Sequence, residues 1–236
     1  MIDLAATGDP LLRHHLEAHP KVAKVGACDH LGIEFQVGAW HRKVWLDQPG
    51  LPVAGLVELI DNNPMVCADE MSIPDALSTL ALVALGPIAW AGMIVEPPTV
   101  VSSFESSGEM LDSFLATAGW QEGATSHVEP RDLGPVLAIT AMAAIATPGD
   151  WSDIDDVYEE RFGRSFFVRR IEDSEWEPKL VEGMPFAAYR LRYTPGEGHS
   201  LLTIQVLADR HGKCGPAQAI HAMNVMAGFE ESLGVA

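Results

Sequence analysis

"GKCGPAQAIHAMNVMAGFEESLGV", Gly212–Val235, is the stretch on which the fold turns. Gly212 and Gly215 permit a tight backbone turn and leave amides free at the start of a helix, with Lys213 beside them. Read locally, that is a site for a small anion, because a helix N-terminus carries partial positive charge. From Ala217 onward, Ala219, Ile220, Met223 and Met226 fall at helical spacing, so one face of this helix is expected to be buried. A helix of this kind needs a core to receive it.

Moving outward, "HSLLTIQVLAD", "AAYRLRYTP" and "SFFVRRI" read as strands with period-two alternation in places. "DWSDIDDVYEERFG" reads as a helix with an N-cap candidate in Ser152, acids in its first turn and an end near Gly163. "GPVLAITAMAAIA" is a small-residue strand, "TVVSSFES" another, and Asp75–Ala91 a strongly apolar helix. At the start of the chain, "MIDLAA", "TGDP", "LLRHHLEAHP" and "KVAKVGA" give strand, turn, helix and strand, the opening of a nucleotide-binding unit. "IEFQVGAWHRKVWL" adds a strand or hairpin. Only Gly8 lies in the first turn, so the glycine loop that would let a pyrophosphate approach the backbone is missing. After Thr99 strands outnumber crossover helices. The larger part is therefore α+β, with a mixed and mostly antiparallel sheet.

The chain has 236 residues, enough for one large domain or two small ones. With 15 Lys and Arg against 33 Asp and Glu the formal charge is -18, which excludes nucleic acid and anionic membrane surfaces as expected partners. A local basic pocket for a small anionic ligand remains compatible with that exterior. The apolar run Ala76–Val95 is interrupted by Gly86-Pro87, Ser78 and Thr79, so no membrane span is expected. Cys28, Cys67 and Cys214 are widely spaced and lack CxxC pairing, a pattern of reduced thiols in a cytoplasm. His15 and His19 share a helix face, but no third ligand follows at a recognisable spacing, and no metal is expected.

The ordered set of segments resembles the N-acetyl-gamma-glutamyl-phosphate reductase and aspartate-semialdehyde dehydrogenase family. The opening stretch is similar to that family's KGAAGQAVQNMNLMFG segment, with Lys213, Gly215, Gln218, Asn224, Met226 and Gly228 at matching places. "YEERFGRSFFVRR" and "VEGMPFAAYRL" resemble its YxxFYxxEPFVRV and VxGSN strands. "SHVEPRDLGPVLAITAMAAI" resembles PHLVPMNRGILATIYV, and "ALVALGPIAWAGMI" the helix after the catalytic cysteine. "HHLEAHPKVAKV" and "AGLVEL" are similar to LLRLLxxHPEVELV and YGLPEL. The resemblance implies a dimerisation-type domain over 62–211, preceded by a shortened Rossmann-like lobe over 1–61 that the segment 212–236 completes. It also implies a homodimer through the large sheet, and places the closing helix beside the active site.

Departures from the family pattern bear on activity. In these enzymes a cysteine thiolate attacks an acyl phosphate or aldehyde, and the resulting thioester exchanges hydride with NADP. Counting back from "WAGMI" puts Ala76 at that cysteine; the rival alignment takes "NPMVC" for the family's NPGC, with Cys67 one residue too far along. The interval that should hold the basic histidine, "MLDSFLATAGWQEGAT", has neither His nor Arg. By resemblance, Ser107 and Gly108 of "ESSGE" stand at the SGxSGAG loop and would join Lys213, Gly215 and Gln218 around an anion. The expectation is a diverged, dimeric anion-binding or regulatory protein with no cofactor. The alternative is an NADP-dependent reductase using Cys67, or another reaction in the same cleft.

Overall fold

The structure is a computed structural model and describes residues 1–235. Its first sheet has five strands: β1 (Ile2–Ala6), β2 (Val22–Ala27), β3 (Gly32–Val37), β4 (Trp40–Leu46) and β5 (Glu70–Ile73). They lie in the order β2-β1-β3-β4-β5. β1 is parallel to β2 and β4 to β5, while β3 runs antiparallel to both its neighbours. Helix α1 (Pro10–Ala18) makes the crossover from β1 to β2. Asp9 caps it and Leu12 and Leu16, four apart, turn inward to the core. The short β5 follows helix α2 (Asn62–Cys67), so the first lobe takes in residues to Ile73 rather than ending at 61. "EMSI" gives too brief an alternation to announce a strand; pairing with β4 makes it one.

The second sheet has six strands in the order β7-β6-β8-β11-β10-β9. These are β6 (Thr99–Ser102), β7 (Thr125–Val128), β8 (Val136–Ala146), β9 (Val168–Arg170), β10 (Ala187–Thr194) and β11 (His199–Asp209). β8 and β11 pair antiparallel along their whole length, from His199 opposite Ala146 to Asp209 opposite Val136. Alternation then sorts the faces: Leu137, Ile139, Ala141, Ala143 and Ile145 of β8 join Leu202, Ile204 and Val206 of β11 in one core. Helix α3 (Ala76–Trp90) lies on that core and is buried from Leu77 to Ala89, as a helix apolar on all sides must be. Helices α4 (Leu111–Thr117) and α5 (Ser152–Phe162) pack against α3. The Tyr158 hydroxyl of α5 donates to the Ala84 carbonyl, which satisfies a phenol otherwise sealed in apolar surroundings.

Helix α6 (Pro216–Ala227) returns to the first lobe. Ala219, Ile220, Met223 and Met226 join Leu4, Leu12, Leu16, Ile33, Phe35 and Val44 in a second core. The segment after α6 is tied down by Asn224, whose Nδ2 donates to the carbonyls of Glu231 (3.1 Å) and Leu233 (2.8 Å). Its Oδ1 lies 3.0 Å from Nε2 of His19, which is buried. His19 is thus a structural link between α1 and α6. Among the described residues, no group of three His, Cys, Asp or Glu is placed to hold a metal ion, and no helix is long and apolar enough to cross a membrane.

Candidate functional site

The cleft is built around the first turn of α3. Asp75 caps that helix, its Oδ1 accepting from the Ser78 amide at 2.8 Å, and Ala76 is the first helical residue. Two cavities meet here, and Asp75 and Ala76 line both. The smaller, about 280 Å³, opens toward the first lobe and includes Asp9, Asp47, Gly215 and Gln218 in its wall. The larger, about 620 Å³, opens over the six-stranded sheet and includes Ser103, Ser106, Arg131 and Arg210.

Lys213 does not stand at this cleft as the sequence led one to expect. It is fully buried, and its Nζ lies 2.6 Å from Oε1 of Glu58, itself 4% exposed. Phe167 lies beneath the ammonium at 5.2 Å and stacks on His221 at 3.9 Å. Burial pushes the Glu58 carboxyl up, but the charges of Lys213 and His221 outweigh it and hold the group below its ordinary value. His221 is held down chiefly by burial, against the pull of Glu231 and Glu58. Lys213 and Glu58 therefore form a closed ion pair, not a free charge offered to a ligand.

The glycines of the turn also have a different purpose from the one the sequence suggested. The amides of Gly212 and Cys214 donate to the Asp209 carbonyl, Gly215 donates to Gly212, Gln218 donates to Gly215, and Pro216 has no N–H. The amides that were to cradle an anion are thus already engaged. A Cβ at Gly212 would lie 2.0 Å from the Met184 carbonyl oxygen, and one at Gly215 would lie 2.4 Å from that of Arg210. Close backbone approach is what requires glycine here.

The other expected site residues are dispersed. Gly215 and Gln218 line the smaller cavity, whereas Ser107 is exposed, and neither it nor Gly108 lines either cavity. Their neighbour Ser106 reaches the larger one. Cys67 is exposed at the end of α2 and lines neither. The thiol nearest Ala76 is Cys214, whose Sγ lies 4.0 Å from the Ala76 carbonyl oxygen. Burial pushes that thiol up to about 12, so it is not a thiolate at neutral pH. No histidine lines either cavity.

A dinucleotide does not fit the first β–α turn. Its pyrophosphate would need amides at the N-terminus of α1, but Asp9 Oδ1 already accepts from Leu11 and Leu12 at 2.8 Å each. The same carboxylate places a negative charge where the phosphates would lie.

No family model matches the chain. It is 23% identical over 202 residues to an N-acetyl-gamma-glutamyl-phosphate reductase of Bacillus cereus, covering 71% of this chain and 57% of that protein. The chain thus spans little more than half the length of that relative. It is 26% identical over 278 residues to a Thermomicrobium roseum protein named for LysW-L-2-aminoadipate 6-phosphate reductase, covering 96% of this chain and 75% of the other. In structure it is similar to aspartate semialdehyde dehydrogenase II of Vibrio cholerae complexed with ASA, with a TM-score of 0.59 at 13% identity. That match covers 96% of this chain and 98% of the other. The chain resembles the N-acetyl-gamma-glutamyl-phosphate reductase and semialdehyde dehydrogenase family, and its two mixed sheets and six helices share the fold of the semialdehyde dehydrogenases.

Proposed function

We propose that this protein is a semialdehyde-dehydrogenase-type scaffold that binds a small molecule at the Ala76 cleft without performing NADP-dependent reduction. The observation that carries this reading is Ala76 itself. It heads the buried α3 at the meeting point of the two cavities, and the alignment that counts back from "WAGMI" gives it the family's nucleophile position, where it offers only a methyl group. Without a nucleophile no thioester can form, and no histidine in the cavity walls can act as its base. Cys67 is too displaced to replace it, and Cys214 is a neutral thiol. The Asp9 cap speaks against NADP as a cofactor.

A small anion remains the proposed ligand on the larger side of the cleft, at Arg210 with Ser103 and Ser106; Asp75, Glu105 and Asp132 share that wall, and Arg131 there is paired with Glu129 at 2.9 Å. The assay is direct. Purified protein should neither oxidise NADPH in the presence of acyl phosphates nor change its melting temperature with NADPH. NADPH oxidation that vanishes in Cys67→Ser would establish the reductase reading instead.

A homodimer through the face of the six-stranded sheet opposite α3 belongs to the same proposal. Thr140, Met142 and Ala144 of β8 and Thr203 of β11 are half-buried there, and Leu201 is 43% exposed. Neither sign of charge dominates these positions, which favours apolar contact between copies. Light scattering of wild type and Leu201→Lys would test it: a dimer that becomes a monomer supports the interface, and a monomeric wild type removes it.

A further inference from the structure

The segment after α6, Phe229–Val235, is held against α1 and α6 by a chain of hydrogen bonds that ends at His19. That chain fixes the protonation of the histidine. Asn224 Nδ2 donates to the carbonyls of Glu231 and Leu233, so its Oδ1 is the acceptor end of the amide. His19 Nε2, 3.0 Å from that oxygen, must therefore carry a proton. At the other ring nitrogen, Nδ1 accepts from the Lys21 amide at 3.2 Å and must carry none. The imidazole is locked as the neutral Nε2–H tautomer. A second proton would have to enter at Nδ1, against an amide N–H that already points there.

The surroundings offer that charge no partner. His19 is 2% exposed, and among the described residues no charged side chain acts on it. Of the acids on the elements packed here, Glu17 of α1 lies 3.9 Å from Arg13, Glu230 is bonded to Ser232, and Glu231 lies 3.1 Å from His221. His221, the one titratable residue of α6, also touches the segment. Its two nitrogens lie opposite the carboxylates of Glu231 and, at 3.7 Å, Glu58, so a proton there leaves the contact with Glu231 in place. His19 has no such carboxylate. The segment lies directly on its ring: a Cβ at Gly234, where φ is 76°, would collide with Cδ2. Val235 beyond it is buried in the first-lobe core and helps to wall a cavity of about 230 Å³ with Leu11, His15 and Met184.

We propose that His19 is a proton-operated catch: protonation at Nδ1 breaks its bond from the Lys21 amide, and the segment Phe229–Val235 lifts from α1 and α6, opening the cavity beside Val235. An imidazolium must reach water, and this segment is the cover that can move, since the amides of Leu233 and Val235 bond only within its own turns. Burial holds His19 below its ordinary value of 6.5, against the bonds to Asn224 and Leu233. Closure is therefore complete above 6.5 and is lost as pH falls toward the folded value. The inference does not depend on what the Ala76 cleft binds.

The test is amide hydrogen exchange of the full chain by NMR at pH 7.5 and 5.5, corrected for the intrinsic rates at each pH. Protection of Phe229, Leu233 and Val235 should fall about tenfold at the lower pH, as one coupled proton allows, while β8 and β11 keep theirs. His19→Gln can still donate to Asn224 but takes up no proton, and should abolish the pH dependence. Gly234→Ala should lift the segment at both pH values, and gives a second readout should His19→Gln not fold. Equal protection of the segment at the two pH values in wild type, or a full pH response in His19→Gln, would overturn the proposal. So would a loss shared equally by β8 and β11, or a Gly234→Ala protein as protected as wild type.

Discussion

The Gly212–Gly215 turn has charge on both of its sides, disposed in opposite ways. On the inner side Lys213 is buried against Glu58, with Phe167 and His221 closing over the pair. On the cavity side Asp47 and Asp75 face each other with no cation in the wall. The first arrangement pairs its opposite charges, with Glu58 Oε2 and His221 Nδ1 left without hydrogen-bond partners, and belongs to the scaffold. The second brings two acids together with no Lys, Arg or His in the same wall. A cation in a suggestive sequence can therefore be structural.

The comparison is broken most severely at Lys213. Lys213→Met should strand Glu58 in the interior and cost about 3–5 kcal/mol, read from urea unfolding midpoints. The double variant Lys213→Met with Glu58→Leu should recover most of that loss, because the pair's attraction is largely offset by its own desolvation. If the single variant is no less stable than wild type, the pair is not the closed unit described.

On the cavity side the expected sign is reversed. Asp47 is the one non-glycine residue with positive φ, at 57°, among those described. Asp47→Gly should stabilise the fold by about 1 kcal/mol through relief of that backbone alone. Asp47→Asn addresses the charge. An acid whose folded value is raised gives stability that is present below its ordinary value near 3.8 and lost as pH rises through about 6. The Asn variant should accordingly gain on wild type above pH 6 and match it below pH 4 in thermal melts. The charged group that acts on Asp47 is Asp75, which pushes in the same direction as burial, and no Lys, Arg or His shares the cavity wall to oppose it.

His221 provides a finer contrast from within the closed side. Burial depresses it, so its contribution to stability is present above about 6.5 and lost as pH falls toward its folded value. His19, depressed mainly by burial as well, acts in the same direction. Melting temperature should fall on acidification below pH 6.5, and less steeply in His221→Gln. The smallest effect belongs to Cys67→Ser: at an exposed helix end it should change stability by no more than about 0.5 kcal/mol and leave ligand binding untouched.

Much of the architecture was readable in the sequence, for local reasons. β11 announces itself by alternation, β8 as a run of small apolar residues, α3 by an apolar run of helical length, and the opening β1–α1–β2 by its turn and its proline stop. The site was less readable because its chemistry is non-local. A lysine between two glycines looks solvent-exposed until Glu58, 155 positions earlier, is brought to 2.6 Å. Asp47 likewise looks like an ordinary turn residue before Pro49-Gly50, and only the tertiary fold sets it opposite Asp75. Ala76, which one of two alignments put at the nucleophile position, lines both cavities, whereas Cys67 of the rival alignment lines neither.

The return of α6 to the first lobe has a consequence for how the protein is made. The core that holds Leu4, Leu12 and Phe35 is completed by Ile220, Met223 and Met226, which leave the ribosome after the entire six-stranded sheet. Strands β1 to β5 must therefore wait, with their apolar faces uncovered, while later parts of the chain are synthesised. A chaperone that shields early strands would have its longest engagement there, and a chain stalled before Pro216 would present that lobe unfinished to the quality-control proteases.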